Sequence, residues 1–124
     1  MDAQFSLFGQ HVVNNDLPQL PKVDSACARC LWLMFNTGFL DNHKLSQVSM
    51  GNAARRAMDL RDKMGWAIET RRRGKVRADG TRVTVSEYRV ERKWLDHILE
   101  DEEFRGRLLL WLEAQGKAER GGVA

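Results

Sequence analysis

Six basic side chains fall between positions 71 and 82: Arg71, Arg72, Arg73, Lys75, Arg77 and Arg82. Asp79 is the one acid in that stretch. Guanidinium groups pair with phosphate oxygens through parallel N–H donors, so such a run suits a polyanion. A second group lies upstream, at Asn52, Arg55 and Arg56. Arg matches the acceptor edge of guanine and Asn the mixed edge of adenine, so these residue types can read bases. Asp59 and Asp62 follow on the same outward side and are expected to repel phosphates, leaving only the first turn and a half as a reader.

Other reactive side chains point to no reaction. Cys27 and Cys30 are three apart in an apolar stretch. That spacing gives poor disulfide geometry on a helix, and zinc would need two further ligands. His11, His43 and His97 are scattered through the chain. Both cysteines are therefore read as reduced core residues. His97 sits among Asp96, Glu100 and Asp101, a grouping that any exposed helix can show. No Gly-rich phosphate loop, HExxH helix or Ser elbow occurs. The expectation is a non-enzyme with no cofactor and no metal.

The totals place these residues in a small globular protein. The chain has 124 residues, 43% hydrophobic and 30% charged, enough for one packed domain. No apolar run approaches the roughly 18–20 residues that span a bilayer, and the N-terminus does not read as a signal peptide. A cytoplasmic protein with no membrane partner is expected. Net charge is +3 but unevenly spread. Residues 52–90 carry eleven Lys/Arg against five Asp/Glu, whereas the segments on either side are slightly acidic. The basic surface is central and local.

Periodicity supplies the scaffold. Residues 1–22, with Pro18, Pro21 and Asn14-Asn15-Asp16, read as a tail and linker. A folded unit is expected over 23–116. Asp24 or Ser25 can cap a helix whose stripe is Cys27, Cys30, Leu31, Met34 and Phe35, ended by Gly38. Asp41 can cap a short helix from His43 to Val48. After a tight turn at 49–51, a third helix runs from Asn52 to Met64, with Ala53, Ala57, Leu60 and Met64 inward and Gly65 as its stop. Ile68 and Thr70 then lead into a strand, a long basic loop with its tip at Asp79-Gly80, and a second strand over Arg82–Val90. Gly74 and Gly80 are expected to make that loop flexible. Val83 and Val85 fall out of phase with Tyr88 and Val90. Two C-terminal stripes follow, Trp94-Leu95-Ile98-Leu99 and Phe104-Leu108-Trp111-Leu112. Residues 117–124 are expected to fray. The fold class is mainly α with a small β-hairpin: a helix-turn-helix with a wing, plus C-terminal helices.

Over roughly residues 24–90 the chain resembles winged helix-turn-helix proteins of bacteriophages and prophages. The resemblance rests on GNAARRAMDLRDKMGWAIET and GTRVTVSEYRV, with their R-x-x-D-L-R-x-x-G run, I-x-T and terminal Y-R. HKLSQVSM departs from it, lacking the small residue such proteins place against the third helix. The resemblance implies double-stranded DNA as partner, contacted by the third helix and the wing.

The pentapeptide Gln4-Phe5-Ser6-Leu7-Phe8 matches a second pattern, the motif that binds the bacterial sliding clamp (the DNA polymerase III β subunit). The likeness implies that Leu7 and Phe8 enter an apolar cleft while Gln4 hydrogen-bonds at its rim. Burying two such side chains gives roughly 3–6 kcal/mol. Ordering the tail and losing translational freedom offset much of it, so an exchangeable contact is expected. The functional expectation is a replisome-associated DNA binder that modulates or inhibits replication. The alternatives are a transcription or replication regulator with QFSLF folded onto its own domain, and an inhibitor of a host defence or nuclease complex. A homodimer is left open.

Overall fold

The computed structural model describes residues 17–41 and 53–121. They form four helices and three strands: α1 (Ala26–Thr37), β1 (Leu40–Asp41), α2 (Ala53–Asp62), β2 (Ile68–Val76), β3 (Arg82–Val90), α3 (Arg92–Ile98) and α4 (Glu102–Gly121). The strands make one antiparallel sheet in the order β1-β3-β2. The protein is thus a mixed α and β domain with more sheet than a small hairpin. The short helix expected over His43–Val48 and the turn at 49–51 lie outside the described residues.

Helix α1 begins where Ser25 Oγ accepts the Ala28 N–H at 3.2 Å. It stops at Gly38, whose φ of +82° returns its N–H to the Met34 carbonyl. Cys27, Ala28, Cys30, Leu31 and Met34 are buried, which puts both cysteines in the core. Helix α2 buries Ala57 and Leu60. Gly65, at φ +82°, ends its last turn, and the chain folds back so that the Trp66 N–H reaches the Leu60 carbonyl at 2.9 Å.

Trp66 organises the interior. Its ring is 1% exposed and meets Phe35, Trp94 and Phe104 at centroid distances of 5.9, 5.7 and 6.4 Å. Its indole N–H needs an acceptor once buried. The Gln19 carbonyl supplies it at 2.7 Å, and the Pro21 carbonyl serves Trp111 in the same way at 2.7 Å. The Gln19 N–H in turn donates to the Met64 carbonyl. Leu17, Leu20 and Val23 pack on the core and both prolines are buried. From Leu17 onward, then, the expected linker is part of the domain, because two buried indoles need its carbonyls and its apolar side chains cover them.

Asp101 precedes α4 and caps it, its carboxylate accepting the Phe104 N–H at 2.9 Å. Phe104, Leu108, Trp111 and Gln115 are buried, a stripe at helical spacing. The helix continues to Gly121, so residues 117–121 are helical where fraying was expected, and 122–124 lie outside the described residues. Buried Gln115 explains part of this. Its Oε1 accepts the Asp24 N–H at 2.6 Å and its Nε2 donates to Glu119 at 2.7 Å, while Glu119 pairs with Arg29 of α1 at 3.6 Å. Among the described residues no helix is long and apolar enough to cross a membrane.

Candidate nucleic-acid interface

The basic segment is strand rather than loop. Pairing of β2 with β3 runs unbroken from Ile68↔Val90 to Val76↔Arg82, so Arg71, Arg72, Arg73 and Lys75 all lie in the ladder. Gly74 faces Thr84 within it and is not a hinge. The connection is only residues 77–81, closed by the Arg77 N–H on the Thr81 carbonyl and the Gly80 N–H on the Arg77 carbonyl. Asp79 accepts the Thr81 N–H at 2.9 Å. Hydrogen bonds from Thr81 hold the Asp79 carboxyl below its ordinary pKa. The expected long flexible loop is therefore a nine-residue ladder with a tight tip.

Side chains alternate across a strand, so the register sorts the cations onto two faces. Glu69, Arg71, Arg73 and Lys75 share one face with Val83, Val85, Glu87 and Arg89, and Asp41 of β1 joins them opposite Glu87. On this face three of the four cations are matched, Arg73 being the exception. Arg71 Nε lies 2.7 Å from Glu87, Lys75 Nζ 2.6 Å from Asp41, and Arg89 Nε 2.8 Å from Glu69. Two guanidinium groups lie over the Phe39 ring, with Arg71 Cζ at 3.8 Å and Arg89 Cζ at 4.2 Å from its centroid. Asp41 and Glu87 are buried. Arg71 and Lys75 are thus tied into the sheet instead of standing ready for phosphate.

The opposite face carries Ile68, Tyr88 and Val90 at its base, where Ile68 and Val90 enter the core. Toward the tip the same face carries Arg72 and Arg82, with the small residues Gly74, Thr84 and Ser86 between them. Val83 and Val85 break phase with Tyr88 and Val90 because the first pair lies on the ion-paired face and the second on the core face. Among the described residues Arg72, Arg73, Arg77 and Arg82 make no ion pair, and all four are exposed.

Helix α2 differs from expectation in one respect. Asp59 is not an outward repeller. Its side chain is 14% exposed and gathers Arg56 at 3.3 Å, Lys63 at 3.6 Å and Arg55 at 3.9 Å. Asp62 is exposed beside Arg61 at 3.0 Å. The outward surface of α2 is therefore Ala54, Arg55, Met58 and the Arg61–Asp62 pair, while Arg56 is turned toward the body. Sequence reasoning passed over Met58, which is 49% exposed; a large apolar residue left off the Ala57–Leu60 stripe is the signal that marks it. Asn52 and Gln4, Phe5, Ser6, Leu7 and Phe8 lie outside the described residues.

The remaining reactive groups stay dispersed. Burial raises the Cys27 thiol pKa, with a further push from Asp59. His97 is exposed, 4.0 Å from Glu100. Among the described residues no three His, Cys, Asp or Glu side chains converge as a metal site. Comparison of the chain with protein-family models, with curated proteins and with solved structures finds no match.

Proposed function

We propose that the protein is a winged-helix DNA binder whose wing grips the phosphate backbone through Arg72, Arg73, Arg77 and Arg82. The observation that carries this reading is the division of the basic hairpin into neutralised and unneutralised cations. Arg71, Lys75 and Arg89 are matched by Glu87, Asp41 and Glu69, and that matching stiffens a hairpin that presents the other four. The element order supports it: a helix, a short strand added to the hairpin, helix α2, then the hairpin itself. Arg55 and Met58 at the outer surface of α2 suit a base edge and a thymine methyl. Fluorescence anisotropy with a random-sequence duplex tests it. Saturable binding that is lost when the four arginines become alanine is expected, and an unchanged isotherm contradicts it.

The tail adds a partner. Gln4-Phe5-Ser6-Leu7-Phe8 ends nine positions before Leu17, the first described residue that packs on the core, a separation that suits a distinct recognition element. We infer that it docks in the apolar cleft of a bacterial sliding clamp. A clamp encircling the DNA that the wing holds would raise the effective concentration of each contact for the other. The reading is thus of a replisome-directed, phage-like protein. Calorimetric titration into purified clamp should give micromolar binding that a Leu7→Ala/Phe8→Ala variant abolishes. Absence of heat from the intact chain removes the clamp from the reading and leaves DNA binding standing.

A further inference from the structure

Leu109 and Leu110 are 62% and 68% exposed on α4, a helix whose core stripe is already complete without them. They are adjacent, and at about 100° per residue they straddle the line opposite the buried stripe. Gly106, one turn earlier on that line, has open space where a Cβ would stand. The helix therefore offers two adjacent apolar side chains beside an open gap. Isolated exposed leucines are ordinary, but a pair beside an open gap is a surface that another helix can fit.

The charges along the same helix say which one. Its first turn holds Glu102 and Glu103 and its last turns hold Lys117 and Arg120, all exposed; exposed Glu113 lies on the same side one turn after the leucines, where an antiparallel copy places its Gly106 gap. Leu109 and Leu110 stand halfway between Glu102 and Lys117. A two-fold axis through the leucine pair therefore lays the acidic end of one helix against the basic end of another copy. A parallel arrangement would bring like charges together. Isologous interfaces need this self-complementarity. We propose that α4 is a homodimer interface, in which two copies pack antiparallel through Leu109 and Leu110 with Glu102 and Glu103 facing Lys117 and Arg120. It does not rest on the DNA-binding reading.

Sedimentation equilibrium of the full chain over a concentration series tests the proposal. The mass should rise from 14.3 kDa toward twice that value, and the association should weaken with salt. Leu109→Gln/Leu110→Gln should weaken it at least tenfold with the circular dichroism spectrum unchanged. Glu102→Lys/Glu103→Lys and Lys117→Glu/Arg120→Glu should each self-associate poorly, yet pair with one another when mixed. A single mass of 14.3 kDa throughout overturns the proposal and leaves the face to residues 1–16 or to another protein. A dimer unmoved by the leucine substitutions overturns it equally, since the interface then lies elsewhere.

Discussion

Lys75 Nζ lies 2.6 Å from Asp41 Oδ2, so the side chain of one outer strand reaches the other outer strand across β3. This contact ties the β2–β3 hairpin to the two-residue strand that follows α1. Asp41 is buried and Lys75 about half exposed, so the carboxylate has more to lose than the ammonium. Lys75→Ala is expected to cost about 1–3 kcal/mol, because it leaves a buried carboxylate without its lysine. Asp41→Ala should cost ~1 kcal/mol or less, because the ammonium it leaves behind is half exposed and solvated. Urea denaturation of the two variants checks the asymmetry. Equal losses would contradict it.

Gln115 is a buried polar group that joins α4 to the segment before α1. It serves the Asp24 N–H on one side and Glu119 on the other. Gln115→Leu keeps the volume and removes both contacts. A loss of about 1–3 kcal/mol is expected from the Asp24 amide left unpaired. Asp24 itself has φ +71°, which glycine adopts more readily. Asp24→Gly should therefore be near neutral in thermal denaturation, whereas Asp24→Val should be clearly destabilising.

Trp66 joins the N-terminal strap to the core. Trp66→Phe keeps an aromatic ring but removes the N–H that reaches the Gln19 carbonyl. The expected cost is about 1–3 kcal/mol, from the lost hydrogen bond and the smaller ring. Amide exchange should quicken at Gln19, whose N–H donates to the Met64 carbonyl. Exchange at Ala28, within α1, should change less.

The Cys27 thiol has a pKa raised above 9.0 in the folded protein, first by burial and then by Asp59. Folding thus favours the protonated form. Its contribution is complete below pH 9.0 and is lost as pH rises through the folded value. Stability should fall more steeply above that pH in the parent than in Cys27→Ala. The two slopes, measured by urea denaturation at a series of alkaline pH values, should differ; parallel slopes would contradict the burial of the thiol.

Much of the fold was legible because periodicity and stop residues agree. Ser25, Gly38 and Gly65 stand where the caps and breaks fall, and the stripes of α1, α2 and α4 are the core. The basic segment was misjudged because its glycine and consecutive arginines look like a loop. Setting Asp79 as the hairpin midpoint would have corrected it: that choice alone puts Arg71 opposite Glu87 and Glu69 opposite Arg89. The Lys75–Asp41 pair was beyond reach, because β1 is two residues long and carries no pattern of its own. Trp66 was missed for a related reason, since it sits between a helix and a strand and belongs to neither period.

The proposed sorting of the hairpin's cations is tested most directly by the salt dependence of duplex binding. Each phosphate contact contributes a slope of about 0.9 in log K against log salt. Removing Arg72, Arg73, Arg77 and Arg82 should flatten the slope by about three to four and leave stability nearly unchanged. Removing Arg71, Lys75 and Arg89 should lower stability and leave the slope of the folded protein close to the parent's. Equal flattening by both sets would contradict the division into paired and presented cations.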